Sequence, residues 1–447
     1  MRKITLLLIA LTVLAFSSCK KSEEDNLKPV TIAVSVQLDA SVSAYNFGLK
    51  GTAIKLTNLT NGQVTNGQTD ATGNISIPSI SPGNYDVQAT LTVLAADYSA
   101  ATGTSTTNDI TFSALIKSLS ITESSTTVPL ILKTGRIGDW IIKQIYYAGS
   151  NTSNGATFRD QFIELYNNSN EVLYADSLYF SQAYGANSKS SAIDLSKGYY
   201  QTSTKQYDWT KSIGMSNDQA NTNYVYAKSL FMISGSGKEH PVQPGSSIII
   251  AATALNHKSP FTGADGKTIS VKDPSLTVDL SGADFEVYLG DYPGVNPLAS
   301  DIDNPSVPNL KVIATGGARD LIMDATGRDA YFIFKTSEDV STWKKYPAPD
   351  QTSISTSTDL YIQIPISYIS DGVEIQTPLP ANVVPKKFGS TIDVGSAFVS
   401  KGQYSSQSLI RKTSKTVNGR IVLTDTNNSA NDFTELDIPD VTKTVFK

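Results

Sequence analysis

Short stretches of alternating polar and apolar residues, separated by turn sequences, recur along most of this chain. Residues 30–36 and 53–57 both alternate with the period of two that a half-buried β-strand requires. Asn61-Gly62 and Asn66-Gly67 are dipeptides typical of tight turns. Residues 98–126 are rich in Ser and Thr and break the pattern, which predicts a long loop or an irregular pair of strands. Short strands with regular turns predict an all-β chain built from sandwiches.

Composition excludes several classes of function. The 447 residues are 40% hydrophobic and 17% charged, which predicts a folded chain of two to three domains with a weakly charged surface. The net charge of −5 argues against a nucleic-acid partner, for which a basic stripe is expected. The single Cys excludes disulfides within the chain, Cys-rich zinc sites and iron–sulfur clusters.

The N-terminus predicts a location. A basic start, a short apolar run and two small residues lead directly to Cys19, as in a secretory signal covering residues 1–18. Residues 16–19 resemble a lipobox in the relaxed form of Bacteroidetes lipoproteins, and the resemblance implies acylation of Cys19. The alternative is a cleaved signal with a free Cys nearby. Residues 19–28 form an acidic tether that resembles an outer-surface export signal, so we expect a lipid anchor in the outer membrane, with the protein facing the exterior.

Residues 29–133 carry a more specific order of strands and turns. The succession 69–77 and 82–87 resembles the regulatory-like domain of carboxypeptidases, a transthyretin-like β-sandwich. The resemblance implies a spacer or docking module without catalytic residues. Tyr85 and Val87 are expected to point inward from one strand.

Residues 134–447 are predicted to form a larger sandwich. The succession of residues 160–168, 173–180 and 241–251 resembles the lamin-tail domain, an immunoglobulin-like sandwich. The extra length falls in two insertions, about 182–238 and 258–405. The whole pattern resembles a family of Bacteroidetes lipoproteins of unassigned function. Residues 337–345 have a capping Ser, early acids and late Lys, which predicts one short helix.

Few residues suggest chemistry. Glu164, in the strand 162–166, is interpreted as a structurally paired acid rather than a general base. His240 and His257 flank the next strand and are interpreted as surface-loop residues, although together they could clamp a metal or haem. No cofactor is expected except Ca²⁺, for which two oxygen-rich segments are candidates. These segments contribute Asp301 and Asp303, and Asp425, Asn427 and Asp432.

The first insertion is rich in amphipathic aromatic residues among Ser, Asn, Gln and Lys. Such side chains suit a surface that binds a sugar or a protein. They suit equally an insertion that packs on its parent sandwich, and this alternative is somewhat favoured. The candidate ligand-binding residues are Tyr199, Tyr200, Tyr207, Trp209, Tyr224 and Tyr226.

These features favour a non-enzymatic cell-surface lipoprotein that binds a ligand or acts as an accessory. By resemblance to such lipoproteins, the implied partner is a TonB-linked outer-membrane receptor for nutrient uptake. The alternatives are a structural or adhesive surface protein and, third, a glycan-directed hydrolase with a carboxylate pair. No Gly-x-Ser-x-Gly nucleophile motif occurs in the sequence, and its single Cys is assigned to the anchor.

Overall fold

The computed structural model describes residues 28–39, 42–102, 109–122, 127–134, 140–169, 171–417 and 419–447. The predicted signal peptide, the lipidation site Cys19 and the acidic tether up to residue 27 lie outside the described residues. Within the described ranges, no helix is both long and apolar enough to span a bilayer.

The chain divides into two compact units. One takes Leu49–Gln88, Ile116–Leu130 and the described residues up to Gln37. The other takes Leu38–Gly48, Ala89–Leu115 and Ile131–Lys447. The boundary expected between residues 133 and 134 stays a prediction.

Among the described residues before 140, seven strands form one sheet, here sheet I, in the order β3-β2-β5-β6-β7-β1-β4. Alternation sets its register, because Ile32 and Val34 of β1 pair with Ile77 and Ile75 of β4. The elements are β1 (Val30–Leu38), β2 (Ala53–Asn58), β3 (Val64–Gln68), β4 (Asn74–Ile80), β5 (Gly83–Val93), α1 (Ala95–Thr102), β6 (Ile110–Ile121) and β7 (Thr127–Thr134).

The later strands lie in the second unit. They run in chain order as β8 (Trp140–Tyr146), β9 (Phe162–Asn167), β10 (Leu173–Tyr174), β11 (Leu178–Ala183), β12 (Tyr224–Met232), β13 (Pro241–Val242), β14 (Ser247–Ala251), β15 (Phe261–Thr262), β16 (Thr268–Ile269), β17 (Phe285–Glu286), β18 (Lys311–Ala314), β19 (Ala330–Lys335), β20 (Lys345–Tyr346), β21 (Tyr361–Pro365), β22 (Ile369–Glu374), β23 (Ser408–Arg411), β24 (Thr413–Val417), β25 (Arg420–Leu423), α2 (Ser429–Asp432) and β26 (Phe433–Leu436).

Two large sheets organise this second unit. Sheet II has the order β17-β14-β9-β8-β23-β26. Sheet III has the order β20-β21-β12-β11-β19-β22, with β18 also paired to β12. The segments predicted as insertions supply most of sheet III, since β12 and β18–β22 all come from them. The all-β architecture expected from the sequence is confirmed.

The main core contains side chains from both large sheets. Ile163 and Leu165 of β9 belong to the same buried cluster as Phe180 of β11 and Ile333 of β19. The opposite face of β9 is covered as well, because Phe162 and Tyr166 enter two other clusters. Every residue of β9 is therefore buried, as is usual for a strand with neighbours on both faces.

Several local predictions need correction. The Asn66-Gly67 turn is wrong, because both residues lie within β3 and pair with Lys55 and Ile54 of β2. The helix predicted at 337–345 is reduced to one 3₁₀ turn, Val340–Thr342, where the Asp339 side chain accepts a hydrogen bond from the Ser341 N–H at 3.0 Å. One turn forms because the chain enters β20 at Lys345.

The described parts of the Ser- and Thr-rich segment 98–126 are more regular than expected. They contain the end of α1 and all of the 12-residue strand β6. Backbone hydrogen bonds to neighbouring strands outweigh the weak local preferences of this composition. The expected inward orientation of Tyr85 and Val87 is confirmed, since both are buried.

Candidate functional site

Aromatic residues from three parts of the chain meet in one cluster of the second unit. Tyr226 of β12 and Tyr361 of β21 lie on the same face of sheet III, whereas Val225 of β12 lies in a separate apolar cluster on the other face. The loop between β11 and β12 adds Tyr207 and Trp209. Sheet III therefore forms the base of the cluster, and the loop between β11 and β12 packs over it.

Four tyrosine rings in this cluster form a nearly parallel stack, here called the tyrosine ladder. Tyr361 and Tyr184 have ring centroids 3.6 Å apart and planes 15° apart. Tyr184 and Tyr207 follow at 6.1 Å and 10°, and Tyr207 and Tyr200 at 5.3 Å and 5°. An antiparallel backbone bridge joins residues 200 and 207, so the last two rings are a cross-strand pair.

A second stack supports the ladder from the side. The ring of Trp209 lies 3.4 Å from that of Tyr226 with planes 8° apart, and it meets Tyr207 edge-on at 74°. The backbone N–H of Trp209 donates to Asn221 Oδ1 at 2.7 Å, and the Tyr226 hydroxyl donates to the Ala220 carbonyl oxygen at 3.1 Å. The first bond lies within the loop between β11 and β12, and the second connects that loop to β12 of sheet III.

One carboxylate contacts the ladder. The Tyr207 hydroxyl donates to Asp350 Oδ2 at 2.9 Å. The other oxygen, Asp350 Oδ1, is buried and has no donor among the described residues. Burial is the main cause that raises the pKa of Tyr207, and the neighbouring Tyr184 and Asp350 raise it further. The Tyr207 hydroxyl therefore stays protonated and able to donate.

The members of the aromatic set differ in exposure. Tyr207, Trp209 and Tyr226 are 8%, 6% and 2% exposed, so these candidate ligand residues serve mainly as the packed interior of the cluster. Tyr199, Tyr200 and Tyr224 are only partly buried. The two interpretations of the insertion, packing and ligand binding, thus apply to different residues. The inner rings are packed, and the outer rings are accessible to solvent.

Asp350 and Tyr361 belong to this site but were not predicted from the sequence. Both lie more than 110 residues after the end of the first insertion, and nothing in their local sequence marks them. Only the pairing of β21 with β12 brings Tyr361 to the cluster. Tyr184 directly follows β11, and its place among the insertion aromatics is the one local signal.

The acids of the last oxygen-rich segment surround a buried arginine. Arg411 of β23 lies 2.5 Å from Asp371, and its Nη1 lies 3.4 Å from oxygens of both Asp425 and Asp432. Burial raises the pKa of Asp425 to about 7 and that of Asp432 to about 6, and Arg411 opposes both shifts. Asn427 is the left-handed residue of the turn, with φ 51°.

The other two candidate calcium ligands, Asp301 and Asp303, differ in burial and in hydrogen-bond partners. Asp301 is buried and accepts the Leu289 N–H at 3.1 Å, whereas Asp303 is partly exposed and accepts the Asn309 side chain at 2.7 Å. Burial, followed by repulsion from Asp320, raises the pKa of Asp301 to about 8. Within the part of the chain that the structure describes, no group of three or more His, Cys, Asp or Glu could hold a metal ion. Calcium binding stays a prediction.

Glu164 and the histidines complete the predicted positions. Glu164 is fully buried, with Lys143 Nζ at 2.9 Å and the Ser247 hydroxyl at 2.5 Å, which agrees with its interpretation as a structurally paired acid. His257 is not a surface residue, because it is 1% exposed and its Nε2 lies 3.0 Å from the Thr253 carbonyl oxygen. His240 is partly buried and meets Phe285 edge-on.

Comparison with known proteins identifies a family region and a shared fold. Residues 243–440 match the sequence model of a family described as a protein of unknown function, DUF4876. The structure of a DUF4876 family protein from Bacteroides thetaiotaomicron VPI-5482 is similar, with 23% identity and a TM-score of 0.53. The alignment covers 94% of this chain and 98% of that one. The predicted likeness to a Bacteroidetes family of unassigned function is confirmed.

Two further structures are much less similar. A protein from Bacteroides uniformis ATCC 8492, named provisionally as carbohydrate binding, shows 11% identity and a TM-score of 0.16, over 50% of this chain and 98% of its own. A protein from Bacteroides ovatus ATCC 8483, named provisionally as an adhesin, shows 9% identity and a TM-score of 0.17, over 75% and 82%. These scores are too low to transfer a fold or a role. No curated protein matches this chain.

Proposed function

We propose that this chain, whose residues 243–440 carry the DUF4876 region, is a non-enzymatic lipoprotein that binds a ligand at the cell surface. The tyrosine ladder with its unmatched Asp350 oxygen is the observation that carries the binding role. Ligand sites are typically apolar surfaces with a few well-placed polar groups, and the ladder has this composition.

The anchor in this proposal is the acylated Cys19. The signal sequence and the resemblance of residues 16–19 to a lipobox support it. Two or more acyl chains make membrane anchoring stable, whereas a single chain holds a protein only transiently. The acidic tether would then hold the folded units away from the outer membrane on the external side.

The partner in this proposal is a TonB-linked outer-membrane receptor, with this protein as its accessory in nutrient uptake. The support is the lipoprotein-like N-terminus and the binding surface, since a surface-held ligand must be passed to a channel to enter the cell. An adhesive role shares the anchor and the binding surface but requires no receptor.

The anchor is tested by metabolic labelling with an alkyne fatty acid in the native host. We expect the wild-type protein and the tether control Ser22→Ala to incorporate the label, and Cys19→Ala to lose it. Digestion of intact cells with a protease should remove the wild-type protein. An unlabelled wild-type protein, or one found free in the medium, would refute the anchor.

The partner is tested by affinity purification of the tagged native lipoprotein from detergent-solubilised outer membranes. We expect an outer-membrane barrel of the TonB-linked class to be recovered with it. Recovery of no barrel would contradict the uptake role. Loss of attachment to surfaces after deletion of the gene, with growth on all nutrients unchanged, would favour the adhesive alternative.

A further inference from the structure

We propose that the tyrosine ladder and Asp350 together bind a neutral carbohydrate, with Tyr200 stacking against a sugar ring and the unmatched Asp350 oxygen accepting a sugar hydroxyl. This inference rests on the proposed binding function and names the class of its ligand. Three properties of the site support it: the geometry of the rings, a carboxylate oxygen without a hydrogen-bond donor, and the local charge.

Ring geometry gives the ladder an accessible end. The ladder ends at Tyr361 and at Tyr200. Tyr361 is 7% exposed and meets the Trp209 ring edge-on, so Tyr200 is the end that remains partly open. Tyr200 is partly buried and is flanked by Tyr199 with ring centroids 4.7 Å apart. A tyrosine held this way offers an apolar ring face and a polar edge with few rotatable bonds to order on binding.

The Asp350 carboxylate supplies the polar half of the site. Its Oδ2 already accepts the Tyr207 hydroxyl, but Oδ1 accepts nothing from the described residues. A buried acceptor without a donor costs free energy, so an occupant that donates a hydrogen bond gains more here than at a solvated carboxylate. Rotation about the last side-chain bond of Asp is soft, which lets the carboxylate turn Oδ1 toward an occupant.

Local charge narrows the ligand class. The charged side chains with the largest electrostatic effect on Tyr184 and Tyr361 are Asp350 and Asp359, and both are acidic. Like charges brought together in a partly buried site repel, so sulfated or uronic-acid sugars are disfavoured. A neutral sugar has hydroxyl donors for Asp350 and C–H faces for Tyr200, and carries no charge to desolvate.

The inference is tested on the full chain purified in detergent, with a panel of neutral oligosaccharides of glucose, galactose, mannose and N-acetylglucosamine. Heparin and polygalacturonate are the acidic comparison. Binding is measured by calorimetry. Each variant is first compared with the wild type by circular dichroism and thermal unfolding, so that a misfolded variant is recognised.

We expect at least one neutral oligosaccharide to bind and neither acidic polymer to do so. Tyr200→Ala and Asp350→Asn should each weaken binding about tenfold or more, the scale of one lost stacking or charge-assisted contact. Tyr200→Phe, which keeps the ring, should change binding less than about twofold, a difference of under 0.5 kcal/mol. Tyr174→Ala and the exposed Asp218→Asn are matched controls outside the ladder and should bind as the wild type does.

Three results would overturn the inference. They are no binding to any neutral oligosaccharide at millimolar concentration, preferential binding of the acidic polymers, and binding that Tyr200→Ala and Asp350→Asn leave unchanged. Ladder-dependent binding of a peptide or protein instead would also overturn it, while leaving the proposed binding function intact. Failure of the anchor would be seen separately, as absence of label on Cys19.

Discussion

Replacing Arg411 by Met should destabilise the second unit more than any surface substitution. Arg411 is 1% exposed and is the cation shared by Asp371, Asp425 and Asp432. Its Nε also donates to the Ile142 carbonyl of β8 at 2.8 Å, while Asp371 of β22 accepts the Ile142 N–H at 2.7 Å. Arg411 and Asp371 thus connect sheet II to sheet III by hydrogen bonds across the core.

The magnitude follows from the charges left behind. Removal of one partner of a buried ion pair usually costs about 3–5 kcal/mol, because the remaining charge stays buried without compensation. Here three carboxylates lose one guanidinium, so we expect the upper part of that range above pH 7. Met is close to Arg in volume and flexible enough to fill an irregular gap, which keeps the charge effect dominant.

The pH dependence separates this effect from a packing defect. The pKa values of Asp425 and Asp432 are raised to about 7 and about 6, above the ordinary value near 3.8. The folded state therefore binds protons more tightly than the unfolded state, and stability falls as pH rises from about 4 toward 7. Without Arg411 both pKa values rise further. The loss should consequently be smaller at pH 5 than at pH 8.

Urea unfolding followed by tryptophan fluorescence measures this difference. The three tryptophans, Trp140, Trp209 and Trp343, all belong to the second unit, so the signal reports that unit. The double variant with Asp371→Asn should recover part of the loss at pH 8, because it removes one uncompensated carboxylate. A loss below about 1 kcal/mol at pH 8 would refute the reasoning, because it is less than the cost of an unpaired buried charge. An equal loss at pH 5 and pH 8 would refute it as well, because the loss would then not depend on ionisation of the carboxylates.

Three further perturbations test other buried features, each by urea unfolding. Glu164→Gln leaves the fully buried Lys143 ammonium without its counter-charge and should cost about 3 kcal/mol or more; a change within 0.5 kcal/mol would contradict this. Burial raises the pKa of Asp160 to about 7, so its contribution should decline as pH rises from about 4 to 7, and Asp160→Asn should flatten that slope; an unchanged slope would count against it. Gly149 has φ +66°, and an added Cβ would lie 2.1 Å from the Thr157 carbonyl oxygen, so Gly149→Ala should destabilise by about 1–3 kcal/mol, and wild-type stability would disprove this strain.

The strand predictions succeeded where one face of a sheet is buried and the other is not. The alternation of residues 30–36 matches the buried Ile32, Val34 and Val36 of β1, because a period of two is a direct consequence of strand geometry. Prediction failed at Asn66-Gly67, where pairing with β2 outweighs a local turn preference. It failed again at α1, a helix whose eight residues include no strong apolar stripe.

The sequence by itself determined the all-β class, the paired role of Glu164 and the aromatic character of the first insertion, because composition and alternation act over a few residues at a time. Tertiary structure alone decided which tyrosines pack and which remain reachable. It also placed Asp350 beside Tyr207, which lies 143 residues earlier in the chain. Arg411 lies among three acids, of which Asp425 and Asp432 were predicted only as metal ligands and Asp371 was not predicted to have a role. Such partners meet because distant strands share a sheet, and strand order is set by burial of the whole core rather than by any local pattern.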